Sequence, residues 1–153
     1  SARNGAPVVP FARTDDRPIR LREPVSAPDA LIIQDPTLLH QVDVFAGLTP
    51  DGYMLINTPR SFAELGLDDF VKDFRAERLM TVPASDLARE HTGRPLANAA
   101  LLAGFAALSG LISLESVVLA IEQKLAARFV EGNVAAARDA FAWVQRELEP
   151  AHA

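Results

Sequence analysis

The sequence predicts an α/β fold: a mostly parallel sheet flanked by helices, an N-terminal β-hairpin and a helical C-terminal third. Three short apolar runs alternate with segments of helical character, which is typical of strand–helix–strand units. The longest nearly uncharged stretch, residues 93–122, indicates a buried helix that anchors the sheet. At 153 residues and 49% hydrophobic content, the chain is predicted to form a single domain over residues 1–153.

The chain begins with a predicted β-hairpin. Val8 to Ala12 form a short apolar strand, Asp15 and Asp16 supply the turn, and Pro18 to Leu21 form the second strand. Pro10 and Pro18 have no amide hydrogen to donate to a neighbouring strand. The hairpin is therefore expected at an edge of the sheet.

Three continuous apolar runs, at 30–34, 53–57 and 79–83, are predicted as central parallel strands buried on both faces. Asp35 is expected to cap a short helix from Pro36 to Gln41. In open parallel sheets, ligands bind outside the carboxyl ends of the strands, where the strand order reverses. The residues at those ends are Asp35, Asn57 with Thr58, and Pro83 with Ala84.

Helical segments fill the rest of the chain. After a helical turn at 61–65 and a charged surface excursion at 66–78, a helix is predicted from Ala84 to Thr92, before Gly93. A buried helix follows from about Ala97 to Leu108, with one apolar face formed by Leu101, Leu102, Phe105 and Leu108.

Gly110 and Ser113 mark a turn after that helix, and Ser113 is expected to cap the next one. The last two helices are predicted from Leu114 to about Phe129 and from Asn133 to about Leu148. Phe129, Phe141 and Trp143 are difficult to place in one small core, which favours a chain that packs against partner chains.

Several classes of function are excluded or disfavoured by composition. The chain has no cysteine, so it provides no disulfide, iron–sulfur or thiolate zinc site of its own. A net charge of −5 argues against nucleic-acid binding. The three histidines share no metal-ligand spacing, and His91 beside Glu90 is interpreted as a surface residue. Neither a signal peptide nor a membrane span is evident, so a cytoplasmic location is expected.

No nucleophile elbow or phosphate-binding glycine loop is present, so the chain is not predicted to be a complete enzyme. Two groups of residues are candidates for ligand contact, each with an equally weighted alternative. Arg3 and Asn4 before Gly5 suit contact with an anionic ligand or a neighbouring subunit, and the alternative is that they have no functional contact. Asn57, with Thr58, suits a ligand contact or a turn.

Asn98 lies in an apolar helix, where an amide is costly unless it is hydrogen-bonded. A bond to a neighbouring loop carbonyl is favoured there over contact with a cofactor.

The order of several short motifs resembles the γ subunit of 2-oxoacid:acceptor oxidoreductases, the pyruvate or 2-ketoisovalerate ferredoxin oxidoreductase group. The resemblance covers essentially the whole chain. The motifs are Arg3-Asn4-Gly5-Ala6-Pro7-Val8, Asp15-Asp16-Arg17-Pro18-Ile19-Arg20, Pro28-Asp29, Gln34-Asp35-Pro36, Ile56-Asn57-Thr58, Leu65-Gly66, Val82-Pro83-Ala84, Gly93-Arg94-Pro95 with Asn98, Leu108 to Glu115, and Asn133.

In that family the γ subunit starts with a strand and a glycine-rich loop leading into a helix. This sequence starts at Ser1 and runs directly into strand-like residues. The resemblance therefore implies a γ-type domain whose N-terminal segment is incomplete here. Asn4 stands where relatives tend to carry a second basic or bulky residue.

The resemblance implies a supporting subunit of a larger enzyme, which oxidatively decarboxylates a 2-oxoacid (pyruvate, branched-chain or aryl) to an acyl-CoA. The complex is expected to use thiamine diphosphate, Mg and [4Fe–4S] clusters, all held by other subunits. Expected partners are α, β and δ-type subunits, and ferredoxin or an NAD-linked flavin subunit as acceptor. In some members the γ domain lies near the coenzyme A path, so Arg3 and Asn57 are expected to face that inter-subunit cleft.

Two alternatives stand beside this interpretation. One is a free-standing, doubly wound module that binds a small ligand or nucleotide. The other is a purely structural adaptor that holds subunits in register without touching a ligand.

Overall fold

The computed structural model describes residues 19–21, 30–40 and 48–149, with positions 19–21, 38 and 40 described through the backbone alone. The strands are β1 (Ile19–Leu21), β2 (Ala30–Ile33), β3 (Tyr53–Asn57) and β4 (Leu79–Val82). The α-helices are α1 (Asp68–Val71), α2 (Ala84–Thr92), α3 (Asn98–Ser109), α4 (Leu114–Lys124) and α5 (Ala127–Leu148). Two 3₁₀ helices span Pro36–His40 and Ala76–Arg78. The predicted α/β class is confirmed.

The four described strands form one sheet in the order β1-β2-β3-β4. β1 is antiparallel to β2, whereas β2, β3 and β4 run parallel, with Ile32 opposite Leu55 and Leu55 opposite Met80. β1 is the second strand of the predicted hairpin and lies at one end of the four described strands. The first hairpin strand, Val8 to Ala12, lies outside the described residues. The described strands follow chain order, so the reversal in strand order expected at a ligand site is not found among them.

Helices cover one face of the sheet. Strand residues Ala30, Ile32, Leu55, Met80 and Val82 pack in one core with buried residues of α2 to α5. Of the 12 residues of α3, nine are buried, including the four predicted to form its apolar face. The helix is thus enclosed nearly all round rather than on one face, because α2, α4 and α5 contact it in addition to the sheet.

The opposite face is covered by shorter segments. Leu31, Ile33, Met54, Ile56 and Leu79 form a second core. Among the described residues, its cover consists of partly buried side chains from turns, α1 and a 3₁₀ helix, namely Leu39, Leu48, Phe62, Leu65, Leu67, Phe70, Val71 and Phe74. Strand residues on both faces are therefore buried, which agrees with the continuous apolar runs in the sequence.

Several local predictions hold. The Asp35 carboxylate accepts hydrogen bonds from the backbone amide of Thr37 (3.0 Å) and its hydroxyl (2.8 Å), at the start of the 3₁₀ helix. The Ser113 hydroxyl accepts the Ser116 amide hydrogen at 3.0 Å and so caps α4. α2 ends at Gly93, which has a φ of +79°. That left-handed conformation favours glycine.

The boundary between the last two helices differs from the prediction. α4 ends at Lys124, and α5 begins at Ala127 and continues without a break past Phe129, Gly132 and Asn133. A Cβ on Gly132 would lie 2.7 Å from the His91 carbonyl oxygen, so this glycine permits close contact with α2. Packing between two helices, rather than a helix end, explains its position.

The aromatic residues of α5 also correct an expectation. Phe141 and Trp143 pack against the helical core, and the Trp143 indole nitrogen donates to the Thr81 carbonyl at 3.2 Å. Phe129 is 38% exposed. Two of the three rings therefore fit within this domain, and their number is not an argument for partner chains. No helix of the described residues combines the length and apolar character needed to cross a bilayer.

A candidate functional site at the carboxyl edge of the parallel strands

Asn57, the last residue of β3, is the centre of a polar network at the carboxyl edge of the sheet. Its side-chain amide donates to the Gln34 carbonyl oxygen and to the Ser85 hydroxyl, both at 2.8 Å. The Asn57 side-chain oxygen accepts the Ser85 backbone amide hydrogen at 3.1 Å. Because Gln34 follows β2 and Ser85 lies in α2, this one amide joins two strands to a helix.

The Asn57 side chain is thus well satisfied where it lies. The residue is only 6% exposed, and both amide hydrogens are used within the chain. A buried amide without such partners would destabilise the fold, and these bonds remove that penalty. The network therefore fixes the spacing of β2, β3 and α2 at the strand ends.

Asn98 extends the network to α3. The Gln34 side-chain amide donates to the Asn98 side-chain oxygen at 2.9 Å. Asn98 is the first residue of α3. Gln34 therefore connects the start of that helix to Asn57, because the backbone carbonyl of Gln34 accepts a hydrogen bond from the Asn57 side chain. The expected bond from Asn98 to a loop carbonyl stays a prediction.

Thr58 continues the edge on the β4 side. Its backbone amide donates to the Val82 carbonyl at 2.9 Å, and its hydroxyl accepts the Arg60 amide hydrogen at 3.2 Å. Thr58 is 4% exposed, whereas Arg60 is exposed. The Arg60 guanidinium forms no ion pair or hydrogen bond with the described residues, and it is a positively charged group exposed near the strand ends.

Three of the five candidate residues thus meet at this edge: Asn57, Thr58 and Asn98. Arg3 and Asn4 lie outside the described residues. Gln34, Ser85 and Arg60 are additional residues of this edge that were not predicted from the sequence. Gln34 could have been predicted, because it directly follows an apolar run, as Asn57 ends one.

The buried polar groups at this edge orient the strand ends, and the exposed Arg60 side chain is the group available to a ligand. Amides and hydroxyls there donate and accept hydrogen bonds, and one guanidinium supplies charge. The described edge residues include no imidazole to serve as a general base. His91, at the far end of α2, instead pairs with Asp139.

The chain matches known proteins over most of its length. Residues 1–143 match the family described as pyruvate ferredoxin/flavodoxin oxidoreductase. The chain is 40% identical over 139 residues to the pyruvate/ketoisovalerate oxidoreductases common subunit gamma of Pyrococcus abyssi, covering 91% of this chain and 74% of that protein. It is 36% identical over 139 residues to pyruvate synthase subunit PorC of Methanothermobacter marburgensis, covering 91% and 73%.

A solved structure is similar as well. The pyruvate oxidoreductase subunit PORC of Thermotoga maritima aligns with a TM-score of 0.60 at 26% sequence identity. The alignment covers 80% of this chain and 66% of that one. The chain therefore spans about three quarters of the curated relatives and just under two thirds of the solved structure.

Proposed function

Because the chain belongs to the pyruvate ferredoxin/flavodoxin oxidoreductase family, we propose that it is the γ-type subunit of a multi-subunit 2-oxoacid oxidoreductase. The observation that carries this proposal is the match over residues 1–143 together with relatives named as gamma and PorC subunits. The reaction proposed for the complex is the oxidative decarboxylation of pyruvate or another 2-oxoacid to an acyl-CoA. The electrons pass to ferredoxin, or to NAD through a flavin subunit.

Within such a complex the chain has a supporting role. The absence of cysteine leaves it no thiolate to ligate an iron–sulfur cluster, so the clusters belong to other subunits. The candidate edge offers orienting groups rather than a nucleophile and base. Thiamine diphosphate and its Mg are accordingly assigned to partner chains of α and β type, and electron transfer to cluster-bearing partners of δ type.

A finer proposal concerns coenzyme A. Arg60 is an exposed guanidinium at the carboxyl edge, without an acidic partner there, and guanidinium groups bind phosphate oxygens through paired hydrogen bonds. Asn57, Thr58 and Asn98 hold the backbone around it in place through the bonds described above. In this proposal Arg60 contacts an anionic part of coenzyme A at a subunit boundary, and Arg3 and Asn4 add to the same contact.

The subunit role is tested by co-expression with the neighbouring subunit genes of its own organism, followed by native mass spectrometry and an assay of CoA-dependent 2-oxoacid oxidation. The expected result is a complex that contains this chain and loses activity when the chain is omitted. A chain that is monomeric in the presence of those subunits contradicts the proposal and favours a free-standing binding module.

The coenzyme A contact is tested separately in the assembled complex with Arg60→Ala. The expected result is an increase of about tenfold in KM for CoA with an unchanged KM for the 2-oxoacid, as for loss of one charge-assisted contact. Arg138→Ala on the exposed side of α5 is the matched control. Equal KM values for CoA in both variants would contradict the contact and would favour a purely structural role for this edge.

A further inference from the structure

We propose that Glu90, His91 and Asp139 form a binding site for a divalent metal ion of the zinc class. Each residue offers one ligand atom, an imidazole nitrogen or a carboxylate oxygen, and these atoms all lie within 4.8 Å of one another. One imidazole and two carboxylates are ligand types that zinc accepts, leaving a fourth position for water or another ligand. The site is separate from the strand-end network, since His91 lies in the last turn of α2.

The geometry requires only small movements to accept an ion. The His91 Nε2 atom lies 2.6 Å from an Asp139 carboxylate oxygen. A tetrahedral zinc ion with bonds of about 2.0–2.2 Å separates its ligand atoms by about 3.4 Å. The His91–Asp139 pair therefore opens by less than about 1 Å, and the exposed Glu90 side chain turns inward by up to about 1.4 Å.

The two helices that carry these ligands are held together at the site. The His91 carbonyl oxygen faces Gly132 of α5 so closely that even a methyl group there would lie 2.7 Å away. The Thr92 hydroxyl donates to the Ala88 carbonyl at 2.7 Å and accepts the Arg94 amide hydrogen at 3.1 Å, which closes the end of α2. His91 is thus positioned by backbone contacts on both sides rather than by a loop.

The cluster borders a surface cavity through one of its three residues, His91. His91 lines a surface cavity of about 450 Å³, together with Thr92, Arg128, Phe129, Glu131, Gly132 and Ala135. The His91 side chain is 27% exposed and that of Asp139 is 49% exposed. In the absence of metal the imidazole is hydrogen-bonded to Asp139, so the metal competes with this bond. Bound, the ion links the end of α2 to the middle of α5.

The test is a competition titration of the untagged full-length chain with Zn²⁺ against a chromophoric chelator. His91→Ala and Asp139→Asn are compared with Glu131→Gln, which changes a carboxylate of the cavity outside the cluster. The expected result is one site that weakens by at least about tenfold in the first two variants, since even loss of a supporting partner costs that much. Glu131→Gln is expected to bind as the unaltered chain does.

The visible spectrum of the Co²⁺-loaded chain provides a second readout, because its absorption bands report a site of low coordination number. If His91→Ala loses the helical circular dichroism signal, Asp139→Asn and Glu90→Gln decide the question in folded chains. Absence of binding to the unaltered chain up to millimolar Zn²⁺ overturns the proposal. So does equal affinity across all variants, which would leave His91 and Asp139 as an ion pair between helices.

Discussion

The two faces of the sheet are buried to the same degree but by different means. Leu55 faces the helices and Leu31 faces the shorter segments, and both are 0% exposed. Leu55 contacts α3, a 12-residue helix that is itself enclosed by α4 and α5. Leu31 lies under side chains supplied by turns, a four-residue helix and a 3₁₀ helix.

The difference shows that burial alone does not measure how firmly a core is held. A long helix packed on several sides has little freedom to move into a void. Short segments, such as α1 and the bend after it, where Phe70 packs on Phe74 with ring centroids 4.9 Å apart, can shift more easily. The helical face is therefore the rigid support of the carboxyl edge, since α2 and α3 both begin there.

The largest expected effect tests this contrast directly with one substitution on each face. Leu55→Ala is expected to lower the free energy of unfolding by about 3–5 kcal/mol, and Leu31→Ala by about 2–3 kcal/mol. The transfer contribution is the same for both, and only the relaxation of the surroundings differs. Denaturant unfolding followed by circular dichroism provides both values. An equal or larger loss for Leu31→Ala would mean that the two covers are equally rigid.

The second prediction uses two glycines inside helices of the rigid face. An added Cβ at Gly104 would lie 3.4 Å from the Leu55 Cδ2 atom, an ordinary contact, whereas at Gly132 it would lie 2.7 Å from a backbone carbonyl oxygen. Gly104→Ala is expected to stabilise the chain by up to about 1 kcal/mol, because alanine favours the helix. Gly132→Ala is expected to destabilise it by about 1–3 kcal/mol, because α2 and α5 separate.

Thermal unfolding of both variants measures whether each substitution raises or lowers the stability of the chain. Destabilisation by Gly104→Ala would show that α3 packs more tightly on the sheet than these distances indicate. A stable Gly132→Ala variant would show that α5 can shift away from α2, which would weaken the description of this face as rigid.

Local signals in the sequence were sufficient to predict most of the helices and strands. Ser113 and Gly93 mark helix ends through capping and backbone conformation, and both act within a few residues. The α4–α5 boundary was missed because Gly132 is required by contact with a distant residue, His91. The pairing of His91 with Asp139 could not be predicted from local signals either, because the two residues are 48 positions apart in the sequence.

The candidate site was predictable only in part. Asn57, Thr58 and Asn98 were identified because polar residues interrupt or end apolar runs. Their hydrogen-bond partners depend on which strands lie side by side, and Gln34 and Ser85 emerge only once β2, β3 and α2 are in place.

The smallest expected effect concerns the exposed carboxyl of Glu77, in the 3₁₀ helix Ala76–Arg78 that precedes β4. A backbone hydrogen bond, together with the hydrogen bond from Arg75, holds the pKa of the Glu77 carboxyl below its ordinary value of 4.5. A lowered pKa in the folded state stabilises the chain above pH 4.5, and this contribution is lost as the pH falls through the folded-state pKa. Because Glu77 is exposed to solvent, the contribution is small. Glu77→Gln is therefore expected to lower the midpoint of thermal unfolding slightly at pH 7 and to match the unaltered chain at pH 3.

Asp73→Asn, an exposed carboxylate of the same region, is the control and is expected to show no such convergence. A Glu77→Gln difference that persists unchanged at pH 3 would show that the side chain acts through packing rather than charge.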